Sequence, residues 1–398
     1  MALTDFKPQF DNAYEEIFQK TLVAKDIMNT RFEPTLKFGE SVERVAYDIS
    51  NVLVRTVVRG SASTIDSITD SSELLNINLE KEAAFHISDG EAKQAGPLNP
   101  GEVIGAQIGR KVALDLDGRC FAEVLNASYD FDNGDLTTGS STGTPITLSS
   151  TTVPQMTTRM GAKLRNKNNQ DVMSNMVLVV DSYAASDVSQ FIISKNIDWA
   201  GATFRNGYVG DIANAQMSVS ENLTGEATLT FTGNSVNAET VVINGVTFTG
   251  VTTIGATAGN FLISASDSTT GITNLAGLIN NPSVTSATQV ALSAANQIVI
   301  SNIAATATST TVLTIVGTGS GRLVLSETQT NATWNKNMIH AYYGKKGAID
   351  LVIQDMKEVD MRPTADRRGT NVFSSYLAGI KTFADGAKKF LDVLIAVA

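Results

Sequence analysis

The feature that most constrains the fold is a stretch of about 100 residues that carries almost no charge. Between Gly225 and Leu325 the only charged residues are Glu226, Glu239, Asp267 and Arg322. Threonine, serine, asparagine, glycine, alanine and valine dominate there, and short runs of β-branched residues recur, which indicates a mostly β unit. The usual charged composition returns after Trp334. We therefore expect a β-rich domain inserted into a second fold, whose sequence resumes behind it.

Within this stretch the sequence predicts several short strands and one helix. The strands are expected at residues 227–232, 241–246, 297–300 and 312–316, and the helix at residues 271–280. Asn244-Gly245 is a strong tight-turn signal. The glycine-rich residues 317–321 are interpreted as a turn, because they do not open a helix after a strand as a nucleotide-binding loop would. Since its composition is autonomous, we expect the insert to project outward and to be dispensable for folding the rest of the chain.

The first 90 residues predict an arm followed by a long hairpin. A helix is expected from about residue 12 to residue 28, with Asp11 as its cap. Residues 52–60 are rich in β-branched side chains, and Leu75, Ile77 and Leu79 alternate with polar residues. Both segments are therefore predicted strands, joined by a tip rich in Ser, Thr and Asp. A two-stranded arm buries little by itself, so we expect this hairpin to pack on another molecule.

The middle of the chain carries the strongest helix signal. Residues 99–102, Asn-Pro-Gly-Glu, suit the start of a helix, and apolar residues then recur at helical spacing to about residue 128. Gly101, Gly105 and Gly109 share one face, and they either permit close backbone contact or are tolerated in a frayed first turn. Further predictions are a helix after Pro154, a buried strand at 176–180, a helix from Asp181, and strands at 348–353, 372–380 and 391–395, with strands from both sides of the insert in one sheet.

The reactive side chains argue against an enzyme or a metal protein. Two histidines and one cysteine make a zinc site improbable. Cys120 falls on the apolar stripe of the long helix, so a buried packing thiol is favoured over a nucleophile. Asp350, Asp355, Glu358 and Asp360 are interpreted as a solvated acidic face. We expect no catalytic residue, no cofactor and no metal.

The net charge of −10 bears on the partners of the chain. A protein that grips nucleic acid needs a basic stripe, and basic residues here cluster no further than Lys345-Lys346 and Arg367-Arg368. Any contact with nucleic acid is therefore expected to be weak and non-specific. We expect neither a signal peptide nor a membrane span, because the required apolar runs are missing. A single cysteine excludes an intrachain disulfide, which fits assembly in a reducing cytosol.

Several segments resemble known phage proteins. Residues 206–223 (Asn-Gly-Tyr-Val-Gly-Asp-Ile-Ala-Asn-Ala-Gln-Met-Ser-Val-Ser-Glu-Asn-Leu) resemble a loop and strand of the axial domain in tailed-bacteriophage major capsid proteins of the Hong Kong 97-like fold. Residues 340–349 resemble the next strand of that family, and the order of arm helix, hairpin, long helix and mixed region fits it. In the insert, residues 241–249 and 274–280 resemble a β-rich repeat of phage structural proteins.

The resemblance implies an α+β capsid fold with an N-terminal arm, an extended hairpin loop, a long spine helix and an axial-domain sheet, plus the inserted mostly-β domain. The implied divisions are the arm at 1–39, the extended loop and peripheral-domain strands at 40–90, the spine helix of the peripheral domain at 91–132, the first part of the axial domain at 133–222, the insert at 223–330, and axial and peripheral strands at 331–398.

The implied function is that of a major capsid protein, located in the virion after assembly in the host cytoplasm. Hexamers and pentamers would form an icosahedral head shell around double-stranded DNA, with scaffolding and portal proteins as partners and with a decoration protein or host-surface glycan as candidate ligands of the insert. Assembly contacts are hypothesised at Val57, Arg59, Ser63, Asp66 and Asp70 in the extended loop. The alternatives are an encapsulin-type nanocompartment shell, a phage tail or baseplate protein, and a hydrolase, for which no constellation of residues is seen.

Overall fold

The computed structural model describes residues 3–32, 39–48, 52–56, 59–60, 62, 65–88, 100–137, 143–168, 174–195, 211–212, 214–363 and 368–397. The chain divides into two compact units, each built from separate segments. Unit 1 comprises residues 1–113 and 347–388, and unit 2 comprises residues 114–346 and 389–398. The six divisions implied by the family resemblance stay a prediction.

The described residues form eight α-helices and eighteen strands. The helices are α1 (Leu3–Thr21), α2 (Ala24–Ile27), α3 (Pro100–Ala122), α4 (Thr152–Asn168), α5 (Ser182–Lys195), α6 (Ser268–Asn280), α7 (Ala294–Val299) and α8 (Ala384–Ala387). The strands are β1 (Ser41–Asp48), β2 (Thr69–Asn76), β3 (Leu79–Ser88), β4 (Asp130–Phe131), β5 (Met176–Val180), β6 (Asp211–Ile212), β7 (Ala215–Val219), β8 (Thr224–Phe231), β9 (Thr240–Ile243), β10 (Val246–Val251), β11 (Asn260–Leu262), β12 (Ile303–Ala307), β13 (Val312–Gly317), β14 (Leu325–Glu327), β15 (Ala332–Lys345), β16 (Asp350–Pro363), β17 (Gly369–Lys381) and β18 (Phe390–Ala396). This mixture of helices and sheets confirms the predicted α+β class.

Unit 1 contains a three-stranded antiparallel sheet in the order β16–β17–β3 and a separate hairpin of β1 and β2. Helix α1 buries Phe10, Tyr14 and Phe18, whose rings stack along one face, and Phe10 also stacks on Phe85 of β3. The predicted start of this helix was wrong, because Asp11 lies inside α1. Phe10 and Tyr14 lie one turn apart and are both buried. Their burial favours helical structure on the N-terminal side of Asp11, so the helix begins before this predicted cap.

The hairpin exists, but its first strand lies earlier than predicted. Strand β1 pairs with β2 from Ser41 opposite Asn76 to Asp48 opposite Thr69. Residues 52–56, predicted as strand, have no regular secondary structure and are exposed. Their β-branched composition favours a strand only where neighbouring side chains cover one face, and none of the described residues does so here.

The long helix α3 is confirmed, and its glycines serve close backbone contact. A Cβ at Gly105 would lie 2.6 Å from the carbonyl oxygen of Phe10, and a Cβ at Gly109 would lie 2.6 Å from that of Tyr14. These two positions therefore seat α1 directly on the backbone of α3. Leu125 departs from the predicted stripe, since it is exposed in the short 3-10 helix Glu123–Asn126 that follows α3.

Unit 2 is organised around a nine-stranded sheet, in which β15 is the central connection. The order is β12–β13–β8–β15–β5–β7–β6, and β18 pairs with β15 and with β4. The predicted strand at 176–180 is β5, and all five of its residues are buried. Because β5, β15 and β18 are neighbours, the prediction that strands before and after the insert share one sheet is confirmed.

The insert has its own hydrophobic core, but some of its strands belong to the nine-stranded sheet of unit 2. Its core contains side chains from the strands β8 through β13, from helix α6 and from the first residues of β15. The last group consists of Ala332 and the partly buried Trp334. Strand β8 pairs with β13 inside the insert and with β15, which continues into the outer sheet. The register between β8 and β15 shifts between Asn335 and Met338, where Lys336 has a φ of 49°. This bulge separates the part of β15 that packs on the insert from the part that pairs with β5 and β18.

Most local predictions inside the insert are confirmed. Asn244 and Gly245 have φ values of 49° and 82° and turn β9 into β10, as a type I′ hairpin requires. The predicted helix is α6, capped by Asp267, which accepts a hydrogen bond from the Thr269 amide. The strand predicted at 297–300 was wrong. Those residues belong largely to α7, which Ser293 caps, and local capping there overrides β-branched composition.

Candidate assembly surface and its supporting contacts

The far half of the hairpin exposes apolar side chains that its own unit does not cover. Val54 and Ile65 are 105% and 92% exposed. The neighbouring apolar residues Val52, Leu53 and Ile68 are exposed as well. Such a group on a projecting arm gains stability when another molecule covers it, because burying apolar surface is favourable. We call the segment 49–68, which joins β1 to β2, the hairpin tip.

An ion pair holds the two arms of the hairpin tip side by side. The Arg55 guanidinium donates to both carboxylate oxygens of Asp66, at 2.6 and 2.8 Å, and the Leu53 amide donates to Asp66 at 3.0 Å. The hydrogen bond from Arg55, followed by that from Leu53, lowers the pKa of Asp66 below its usual value. A two-point contact of this kind fixes orientation as well as charge, so it fixes how Arg55 lies against Asp66 in this exposed segment.

The root of the hairpin is anchored within unit 1. Leu75 and Ile77 are buried against Val352 and Phe383. Arg44 pairs with Asp385 at 2.6 Å, and its guanidinium lies over the Phe383 ring at 5.2 Å from the centroid. The arm is therefore fixed at one end and exposed at the other.

The five hypothesised assembly residues are only partly placed. Arg59 precedes Gly60, whose φ is 88°, in an exposed turn. Asp66 is the partner of Arg55, and exposed Asp70 lies opposite Tyr47 across the hairpin. Val57 and Ser63 lie outside the described residues.

The prediction of a solvated acidic face along β16 was wrong for Asp350, its first residue. Asp350 is buried, accepts a hydrogen bond from the Asn29 side chain and lies 4.0 Å from Arg44. Burial raises the pKa of Asp350, and the contact with Asn29 opposes that shift. Asp360 is exposed. The side chains of the other two members, Asp355 and Glu358, lie outside the described residues.

Two glycines bring helix α3 and the turn at 317–321 into direct backbone contact within unit 2. A Cβ at Gly118 would lie 2.7 Å from the Cα of Gly319, and Gly319 has a φ of 63°. The turn predicted at 317–321 is thereby confirmed. It is also the place where the insert touches α3. A contact that leaves no room for a single methyl group shows that the insert packs directly on α3, and the dispensability of the insert for folding stays a prediction.

Replacing Gly118 by alanine is expected to lower the free energy of unfolding by about 1–3 kcal/mol, because the new methyl group overpacks this contact. The sign is informative, since alanine in place of glycine normally stabilises a helix interior by about 1 kcal/mol. Urea unfolding of the dissociated subunit measures it. Gly277→Ala in α6 is the matched control, because its Cβ would meet only a side-chain oxygen of Gln289 at 3.2 Å. A stabilising Gly118→Ala would contradict the expectation.

A buried ion pair joins the end of the insert to helix α5. Arg322 donates from its Nε to Asp181, whose side chain is completely buried. The other oxygen of Asp181 caps α5 by accepting from the Ala184 amide at 3.2 Å. The guanidinium of Arg322 lies 4.7 Å from the centre of the Tyr183 ring. Arg322 therefore satisfies a charge that would otherwise be buried without a partner.

A second buried charge cluster lies where three strands of unit 2 meet. His340 of β15 contacts Asp392 of β18 at 2.7 Å and Glu226 of β8 at 3.4 Å. Burial alone lowers the pKa of His340, but hydrogen bonds and charge from Asp392 and Glu226 outweigh it and raise the pKa to about 9. His340 therefore lies between two carboxylates of neighbouring strands, and these favour its protonated form.

Cys120 is placed as predicted, in the buried stripe of α3. Its side chain is completely buried, and burial, followed by the negative charges of Asp117 and Glu123, raises the pKa of its thiol. A thiol held neutral is a poor nucleophile. Within the described ranges, no group of three or more His, Cys, Asp and Glu side chains is arranged to hold a metal ion. The helices of the same part of the chain include none that is both long and apolar enough to cross a membrane.

Arg322, Asp181 and the His340 cluster were missed by sequence reasoning. Arg322 did carry a signal, because a lone basic residue in a charge-poor stretch indicates a specific partner. Its partner Asp181 lies 141 residues away, and no local pattern connects the two. His340 and Asp392 are polar residues within otherwise apolar strands, which marks each position but not their contact.

Comparison with known proteins gives structural likenesses. No protein-family model and no curated protein matches the chain. A structure described as "Mycobacterium phage Che8" has 14% identity and a TM-score of 0.49, covering 92% of this chain and 89% of that chain. One described as "Capsid structure of the Cyanophage P-SCSP1u" has 12% identity and a TM-score of 0.47, covering 91% of this chain and 85% of that chain. One described as "Capsid of native GTA particle computed with C5 symmetry" has 10% identity and a TM-score of 0.42, covering 90% and 86%.

Proposed function

We propose that this chain is the major capsid protein of a tailed bacteriophage, a structural subunit that self-assembles into the head shell and performs no catalysis. The observation that carries the proposal is the hairpin. It is anchored at its root by Leu75 and Ile77, clasped by Arg55 and Asp66, and uncovered at its apolar tip. A protein keeps such an arm in shape most readily when a neighbouring copy buries it.

Packing and buried ion pairs in the rest of the molecule also support the proposal. Helix α1 is packed on α3 through Gly105 and Gly109 and adds bulk to unit 1. Two of the buried titratable groups, His340 and Asp181, are engaged in ion pairs. These arrangements suit a rigid building block whose contacts repeat over a closed lattice.

The partners follow from the proposed role. Copies of the chain would form hexamers and pentamers, assembled in the host cytoplasm and retained in the virion. A scaffolding protein and a portal protein are proposed as assembly partners. A decoration protein or a host-surface glycan is the proposed ligand of the insert. Packaged DNA would be contacted weakly, in keeping with the net charge of −10.

Electron microscopy and gel filtration of the protein expressed alone, and then with a scaffolding protein, test the proposal directly. Closed shells are expected. A co-purifying cargo enzyme inside the shells would favour an encapsulin, and tubes or stacked rings would favour a tail protein. A subunit that stays monomeric under both conditions would contradict the proposal.

Deleting residues 61–70 is expected to abolish shells while leaving a folded subunit, because the deletion removes the clasping Asp66 and the second arm of the tip. Circular dichroism and thermal melting check the fold, and electron microscopy counts shells. A gentler variant, Val54→Ser with Ile65→Ser, is expected to reduce shell yield strongly. Its matched control is Ile298→Ser with Val324→Ser in the insert, where the two side chains are 76% and 69% exposed. Normal shells after the deletion would remove the hairpin from the assembly mechanism.

A further inference from the structure

An acidic groove lies on the three-stranded sheet of unit 1. Its lining includes Glu80 and Glu82 of β3 and Asp360 and Arg362 of β16, with Phe373 of β17 between the two strands. Arg362 neutralises Asp360 through contacts of 2.7 and 2.8 Å and lies over the Phe373 ring. The charges left over at the groove therefore belong mainly to β3.

Two carboxylates on β3 have no cationic partner among the side chains that the structure describes. Glu80 and Glu82 are exposed and, two residues apart on a strand, point to the same face of the sheet. Within the described part of the chain neither takes part in an ion pair or side-chain hydrogen bond. The intervening Lys81 also lines the groove, so two free carboxylates face one ammonium group. The groove retains a net negative charge that a basic side chain from elsewhere would neutralise.

The hairpin tip carries a matching free cation. The charged residues of segment 49–68 are Arg55, Arg59 and Asp66, and Arg55 is already paired with Asp66. Arg59 is exposed and has no partner among the described residues. A guanidinium presents several donors in one plane and suits a site with two carboxylates.

The tip follows one end of the paired strands β1 and β2, and the strand β3 that carries the groove follows the other end. Glu80 and Glu82 follow the hairpin root at Asn76 by only a few residues, whereas Arg59 lies beyond the far end at Asp48. Eight paired residues span roughly 25 Å at about 3.3 Å per residue. The Arg55–Asp66 ion pair lies in the segment that joins the two strands beyond Asp48 and Thr69. The groove is therefore open to the tip of another molecule.

We propose that the groove at Glu80 and Glu82 receives Arg59 from the hairpin tip of a second copy of this chain. This inference rests on the proposed function and specifies one contact within it. Neutralising two exposed carboxylates with a cation from a neighbour gives partner choice and register more than raw affinity. The contact would thus select which neighbour the hairpin crosses and at what position.

Charge reversal with compensation tests this contact. Arg59→Glu, and separately Glu80→Lys with Glu82→Lys, are each expected to reduce shell yield at least about tenfold, because like charges then face each other across a desolvated contact. The triple variant that combines them restores opposite charges and is expected to recover most of the yield. Shells are counted by electron microscopy after gel filtration, and circular dichroism confirms that each subunit is folded.

Arg110→Glu is the matched control, since Arg110 is an exposed arginine on α3 that belongs neither to the hairpin nor to the lining of the groove. It is expected to assemble like the unmodified protein. Full shell yield from Arg59→Glu would overturn the contact, and so would failure of the triple variant to recover. Failure of the unmodified protein to form shells under any condition would instead contradict the proposed function, which keeps the two outcomes distinct.

Discussion

Replacing Arg322 by alanine is expected to destabilise the subunit by about 3–5 kcal/mol, the usual cost of leaving a buried charge without its partner. The side chain of Asp181 is completely buried and Arg322 is its ion-pair partner. The same substitution removes the guanidinium from the face of Tyr183. Urea unfolding of the dissociated subunit, followed by circular dichroism, gives the change in free energy of unfolding.

A second measurement, in the Asp181→Asn variant, separates the effect of the lost charge from the effect of the lost packing of Arg322. In Asp181→Asn, the neutral amide keeps an oxygen that can still cap α5 but no longer needs a cation. Arg322→Ala in that background is expected to cost less than half as much, because the two positions are coupled through one contact. Arg110→Ala, an exposed arginine, is the control and is expected to stay within about 0.5 kcal/mol. A loss below about 1 kcal/mol for Arg322→Ala would show that the ion pair does not hold the insert.

Signals that act within one turn or one hairpin predicted the structure well. The start of α3 follows from its proline and its periodic apolar stripe, and the β9–β10 turn follows from Asn244 and Gly245. Both features depend on backbone preferences that are set by residues close together in the sequence. The same reasoning placed Cys120 correctly in the core.

Predictions failed where distant contacts override local preference. Residues 52–60 have strand composition, yet the paired strand is β1, because its partner β2 is set by the packing of Leu75 at the root. Asp350 was expected in solvent, but Asn29 and Arg44 reach it from far along the chain. Burial of a charge is decided by partners that no local pattern reveals.

For the candidate assembly surface, too, the sequence predicted the local feature and missed the features that depend on distant contacts. Composition predicted a hairpin that its own chain does not cover, and the structure shows exposed Val54 and Ile65 at its tip. The clasp between Arg55 and Asp66 joins residues eleven positions apart and depends on how the two arms meet. The groove at Glu80 and Glu82 requires three strands to come together, including β16, which lies far along the chain. Sequence reasoning therefore identified the arm but not the groove that is proposed to receive it.

Raising the pH from about 6 to about 9.5 is expected to remove about 3 kcal/mol of stability through His340. The folded-state pKa is raised from its usual 6.5 to about 9, so the folded protein binds a proton that the unfolded chain has lost. The stabilisation is complete below pH 6.5 and disappears as the pH rises through 9. Burial raises the pKa of Asp392 above its usual 3.8, and the contact with His340 opposes that shift. Its own effect on stability therefore begins on the acid side of this window.

A His340→Gln variant isolates this contribution. Other groups also lower stability at high pH, because burial raises the pKa of Cys120, and raises that of Tyr343 to about 12, above the values that these groups have in the unfolded chain. These groups are the same in both proteins, so the difference in unfolding free energy between the unmodified protein and His340→Gln cancels them. That difference is expected to be largest near pH 6 and to shrink steadily toward pH 9.5, since the variant has lost the proton that bridges Asp392 and Glu226. A difference that does not change with pH would mean that His340 is held neutral in the fold and that shape, not charge, joins the three strands.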